Sequence, residues 1–235
     1  LAYRMGVDWV DVDLVPTKDG RLVARHEPEI GGTTDVAKHP EFADRKKTVV
    51  LDGVSTTGWF TQDFTLAELK TLRARERLPH LRSTAHDGQF DVPTWDEIVA
   101  LVAACGRRVG LMPEVKSPSY FRARGLALEE RLLERIDAHP YTRAAPVVIQ
   151  SFETGNLRRL RAQLVSRTNV RLLQLLDKPQ RAPADAGIDG EPKRTYAEWM
   201  TADALREIAA FADIVAPPAR AIIPVDEDGN LVAPT

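Results

Sequence analysis

GVDWVDVDLVPTKDGRLVARHE, residues 6–27, alternates apolar and acidic side chains and then turns back on itself. Trp9, Val10, Val12, Leu14 and Val15 make its first half read as a strand, so Asp11 and Asp13 leave the same face of the pleat. Two carboxylates side by side in a partly buried strand repel, and a shared proton or a hard cation such as Ca²⁺ or Mg²⁺ resolves the conflict. Lys18-Asp19-Gly20 marks a turn, and the short apolar run Leu22-Val23-Ala24 then ends in Arg25-His26-Glu27. An imidazole at a strand end beside such a pair is a candidate acid–base group. Taken singly, an Asp-x-Asp is more often an edge-strand solubility device, and a His-Glu a surface pair. Joined by strand, turn and strand, they tip the reading toward a site.

A further strand follows in Gly110-Leu-Met-Pro-Glu-Val-Lys-Ser-Pro118, where Glu114 and Lys116 share one face. Strands are predicted at about 8–14, 22–26, 109–115, 146–151, 171–175 and 213–215. They alternate with helical patterns, which points to parallel βα units. Residues 28–92 are too long for an ordinary connection and are expected to form a lid or subdomain within a single domain spanning 1–235. Thr65-Leu-Ala-Glu68 and Thr94-Trp-Asp-Glu97 are capping boxes that open helices. Leu66, Leu69 and Leu72 stripe the first helix, and Ile98, Val99, Leu101 and Val102 the second. Leu128, Leu132, Leu133 and Ile136, then Leu157, Leu160 and Leu164, repeat the helical spacing, and a long loop over 177–195 precedes a helix near Trp199 and 204–212. These stripes read as core.

The chain has 235 residues, 43% hydrophobic and 28% charged, enough for one large core and within the usual size of an α/β barrel. No run of about 18 apolar residues occurs, so no transmembrane helix is expected. Thirty-two basic and 34 acidic residues leave a net charge of −2, which offers no bulk attraction for nucleic acid or an anionic membrane. An anionic substrate must be captured locally. Cys105 is the only cysteine, which excludes an internal disulfide, and it is expected to pack in the core at a helix end.

Gly-Val-Asp-x-Val-Asp-x-Asp-Leu, Thr-Lys-Asp-Gly, Leu-Val and His-Glu in order, then Gly-x-x-Pro-Glu-Val-Lys and Val-x-Ile-Gln-Ser-Phe-Glu at 147–153, resemble the glycerophosphodiester phosphodiesterase family in its bacterial periplasmic branch. Thr61–Leu72 and Phe90-x-Val-Pro-Thr-x-x-Glu97 match that branch too. The resemblance implies a (β/α)8 TIM-type barrel with its site at the C-terminal ends of the strands. It implies hydrolysis of a small-molecule glycerophosphodiester to sn-glycerol 3-phosphate and an alcohol, and a periplasmic or secreted location. Asp11, Asp13 and Glu114 would be ligands of a divalent metal, Ca²⁺ or Mg²⁺; His26 would be a general acid or base and Lys116 a phosphate contact. Oxygen ligands suit such an ion.

The chain departs from the family in two ways. Asp11 stands where the family has Glu, one methylene longer, and the family's His-Arg-Gly strand with its following Glu is missing. Leu1–Gly6 reads as the tail of the family's first helix, and 231–235 fall short of its last strand, so the expectation is a barrel incomplete at both ends and, by itself, nearly inert. A catalytically lapsed barrel that binds a phosphodiester or a protein partner is the alternative. His39 and His139 precede prolines and His80 and His86 flank a polar loop, so turn or surface roles are expected. Asp52-Gly53 is a turn, and Trp59, Phe60 and Phe64 are expected to form a small core in the insertion.

Overall fold

The structure, a computed structural model, describes residues 5–226 and 228–232. Leu1–Arg4, part of the stretch read as a helix tail, and residues 233–235 lie outside the described residues. Two compact units divide the chain, Leu1–Val147 and Val148–Thr235.

The first unit is organised by β1 (Trp9–Pro16) and β2 (Leu22–Ala24), joined by the Lys18–Gly20 turn. β2 runs antiparallel to the C-terminal half of β1, with Leu14 opposite Ala24. The insertion carries β3 (Lys47–Leu51) and β4 (Val54–Gly58), an antiparallel hairpin that the sequence reading took only as a turn. Its tip, Asp52-Gly53, has both residues at positive φ (49° and 79°), the twist that a two-residue hairpin turn demands. β5 (Gly110–Val115) pairs in parallel along β1 from Trp9↔Gly110 to Leu14↔Val115. A Cβ on Gly110 would sit 2.2 Å from the Trp9 ring, so the indole lies where any other residue would place its side chain. From the last residue of the first unit onward, β6 (Val147–Ser151), β7 (Val170–Leu175) and β8 (Ile214–Ala216) neighbour one another in that order, with β7 and β8 parallel.

Both capping boxes form. Thr65 and Glu68 close the start of helix Leu66–Leu69, and Thr94 and Glu97 that of Trp95–Ala103, each Thr hydroxyl accepting from the Glu amide while the carboxylate accepts from the Thr amide. Trp95, Val99 and Val102 are buried, but Leu101 is 68% exposed, because the side of the helix at 98 and 101 borders a crevice instead of the core. Cys105 is likewise only half-buried; its thiol donates to the Leu101 carbonyl at 3.0 Å. Leu128, Leu132, Leu133 and Ile136 are buried along helix Glu129–Ala138, and Leu157 and Leu160 along Gly155–Gln163.

The insertion has its own apolar centre. Phe60 and Phe64 are buried, Phe42 meets Phe64 edge-on at 5.0 Å, and the Arg45 guanidinium lies 4.8 and 4.9 Å from the Phe42 and Phe64 rings. Trp59 joins it, its indole N–H donating to the Phe42 carbonyl at 2.6 Å. Arg45 also holds Glu68 at 2.7 Å, and this contact, with the Thr65 cap, brings the Glu68 carboxyl down to about 2. The unfolded chain binds that proton near 4.5, so the contribution of Glu68 to stability is complete above pH 4.5 and is lost as pH falls toward 2. Glu68→Gln should therefore cost about 1 kcal/mol at pH 7, and melting curves of variant and parent should converge as the pH falls below 4.

Candidate active site

The register of β1 against β5 sets Asp13 directly opposite Glu114. Paired residues of neighbouring strands point to the same side of a sheet, so the two carboxyl groups face each other, and Asp11, two residues back, leaves β1 on the same face. Lys116 continues the ladder beyond β5, its amide donating to the Leu14 carbonyl at 3.1 Å. Its Nζ lies 2.7 Å from Glu114 Oε1 and 3.7 Å from Asp13 Oδ1. Glu114 is buried, and loss of water pushes its carboxyl up to about 7; Lys116 opposes the rise, whereas the hydrogen bond and charge of Asp13 add to it. The anionic pair is thus relieved by one ammonium and, below about pH 7, by a proton on Glu114.

Asp11 is exposed. Among the described residues no three His, Cys, Asp or Glu side chains gather closely enough to hold a metal ion. The structure brings Asp13, Glu114 and Lys116 together. The donors that do meet are carboxylate oxygens, the chemistry that suits a hard divalent ion.

His26 is exposed just beyond β2, with Nδ1 2.9 Å from Glu27 Oε1. The same oxygen accepts from the Arg77 guanidinium, so an arginine of the insertion fixes the carboxylate that fixes the imidazole. With Nδ1 turned to Glu27, Nε2 is the nitrogen left to exchange a proton. A crevice of about 420 Å³ has Asp11, Asp13, Arg25 and His26 on its charged side and Val10, Ile98 and Leu101 among its apolar residues. Glu27 and Arg77 were missed as members of the site; Glu27 was legible only as a possible surface partner of His26, and Arg77 lies fifty residues further on.

The insertion reaches this end of the sheet. Ser117, next to Lys116, is held at φ 42°, and its hydroxyl donates to Asp52 Oδ2 at the hairpin tip at 2.9 Å. A positive φ is unfavourable for serine, and the contact with Asp52 helps hold it. The remaining histidines include two that take turn roles: His39 and His139 precede short helices beginning at proline, and His139 Nδ1 accepts from the Tyr141 amide.

Residues 1–232 match the glycerophosphoryl diester phosphodiesterase family. The chain belongs to that family. A glycerophosphodiester phosphodiesterase of Arabidopsis thaliana is 34% identical over 248 residues, covering 100% of this chain and 63% of that protein. One from Haemophilus influenzae is 27% identical, covering 92% and 62%. The chain thus spans less than two thirds of the length of these curated relatives. Among solved structures, a glycerophosphoryl diester phosphodiesterase assignment from Silicibacter pomeroyi superposes with TM-score 0.62 at 20% identity, covering 92% of this chain and 66% of that one. An Oleispira antarctica phosphodiesterase, in complex with the product sn-glycerol-3-phosphate, does so with TM-score 0.54 at 17% identity, covering 92% and 74%. These likenesses give the fold, the α/β-barrel class expected from the sequence.

The Glu114 carboxyl gives a test within the family framework. In metal-free protein the unfolded chain releases this proton near 4.5 and the folded chain near 7, so ionisation of Glu114 penalises the fold increasingly as pH rises between those values. Glu114→Gln should gain in melting temperature relative to the parent over that interval, and the gain should level off above it.

Proposed function

We propose that the protein hydrolyses glycerophosphodiesters to sn-glycerol 3-phosphate and an alcohol. The observation that carries this reading is the Asp13–Glu114–Lys116 cluster at the strand ends of a chain that matches the phosphodiesterase family over residues 1–232. The product complex of the Oleispira protein supports the substrate class.

In this reading Lys116 contacts the phosphate, and His26, oriented through Nδ1 by Glu27, gives or takes a proton at Nε2. Asp13 and Glu114 would hold a divalent cation, Ca²⁺ or Mg²⁺, with Asp11 the third carboxylate on that face of β1. Such an ion, when bound, neutralises charge on the phosphoryl oxygens. Asp13 and Glu114 would bind it as carboxylates, so the proton Glu114 retains would leave on binding. The hairpin tip at Asp52 fixes the backbone after Lys116, so the insertion supports the phosphate-contacting ammonium.

Release of glycerol 3-phosphate from glycerophosphocholine is the deciding assay. His26→Ala should lower the rate about 10²–10⁴-fold with metal-dependent stabilisation retained. Glu27→Gln should lower it less and shift its pH profile. Binding of the diester without turnover in either parent or variant would favour the lapsed, binding-only barrel. A second measurement tests the ligands alone: Ca²⁺ or Mg²⁺ should raise the melting temperature in proportion to the logarithm of its concentration, and Asp13→Asn should abolish the shift. A shift unchanged in Asp13→Asn rejects that ligand assignment.

A further inference from the structure

Arg25 is the cation in this region whose charge the described structure leaves without a close partner. Its amide donates to the Asp13 carbonyl at 2.9 Å, extending the ladder in which Leu14 faces Ala24. Arg25 therefore stands opposite Asp13 and starts on the same face of the sheet. Its Nε is enclosed and has no hydrogen-bond partner among the described residues. The surrounding acids are committed elsewhere. Glu27 Oε1 takes His26 and Arg77. Glu29 Oε1 accepts from the Gly31 and Trp59 amides, and its Oε2 from the Gly32 amide. Burial draws the Arg25 pKa below the ordinary arginine value, with Glu27 and Glu29 partly offsetting this and Arg77 adding to it. A guanidinium nevertheless stays protonated at any working pH.

Arg25 is half-buried, with Nε enclosed and unpartnered among the described residues, and a guanidinium offers a planar fork matched to two oxygens of a phosphate or carboxylate. The crevice that Arg25 borders also holds Asp11, Asp13 and His26. Lys116 is already engaged by Glu114 at 2.7 Å, so it enters substrate binding partly neutralised. Resting on the phosphodiesterase reading above, we propose that Arg25 is a second phosphate-binding cation, forking onto the non-bridging oxygens of the diester and onto the phosphate of the released product. The ligand class is a phosphate mono- or diester.

The test uses the whole chain as parent, Arg25→Gln and Arg25→Lys, each checked by its own melting curve. Thermal stabilisation by inorganic phosphate and by sn-glycerol 3-phosphate is read alongside KM and kcat for glycerophosphocholine, with choline as a control lacking phosphate. Arg25→Gln should weaken both phosphates and raise KM by about tenfold or more, the loss expected for one charge-assisted contact, with kcat within about threefold and the choline response unchanged. Arg25→Lys should recover part of the affinity, as a point charge without the fork. Unchanged phosphate stabilisation and unchanged KM in a folded Arg25→Gln would overturn the proposal. If Arg25→Gln does not fold, parent-like phosphate binding and KM in Arg25→Lys would overturn the forked contact. A parent that hydrolyses no diester yet loses phosphate binding on Arg25→Gln would reject the activity and keep the anion site; normal turnover with unaltered binding in Arg25→Gln would do the reverse.

Discussion

Two carboxyl groups forced together by strand register are the constraint on which the site depends. Asp13 and Glu114 are opposite because β1 and β5 pair in parallel from Trp9↔Gly110 onward. A shift by one residue would turn Glu114 to the other face of the sheet and separate the pair. The register is held by a ladder of backbone hydrogen bonds and by the close seating of Trp9 over Gly110. Electrostatic cost at the pair is the result, and Lys116 relieves it, joined below about pH 7 by a proton on Glu114. The same tension makes the pair a receptive place for positive charge, so it need not be read as a defect of packing.

The rest of the site is arranged around this pair by local chemistry. β2 returns antiparallel beside β1 and delivers Arg25, His26 and Glu27 to the end where the carboxyls lie. Glu27 is shared between the imidazole and Arg77, so a residue of the insertion participates in holding His26. At the other side, the Asp52 carboxylate bonds Ser117 and restrains the backbone next to Lys116. Two separate contacts thereby tie the insertion to residues flanking the site, one through a guanidinium and one through a hairpin tip.

Much of the fold was legible because it rests on signals a few residues long. The alternation at 9–15 located β1, Thr94 with Glu97 located the start of helix Trp95–Ala103, and the leucines at 128, 132 and 133 located a buried helical face. The strands predicted near 109–115, 146–151 and 171–175 lie within a residue or so of β5, β6 and β7. The hairpin Lys47–Gly58 was overlooked because its β-branched residues face solvent on both strands, Val50 and Val54 among them, so no alternation of buried and exposed positions marks it beyond the Asp52-Gly53 turn. Leu101 and Cys105 were assigned to the core because helical spacing reports a face but not what lies against it. In the site, the pairing of Asp13 with Glu114 could be suspected from composition, but their contact depends on register across a hundred residues. Arg25 was readable only once Asp13 was known to be its partner in the ladder.

The Trp9–Gly110 contact has an evolutionary consequence. The indole occupies the space in which a side chain at 110 would begin, so the two positions constitute one locus divided between distant parts of the gene. Enlargement at 110 requires the indole to move aside or to be replaced by something smaller. A change at 110 on β5 is therefore conditional on position 9 on β1, and a history of the family compiled position by position would mistake this coupling for independent constraint.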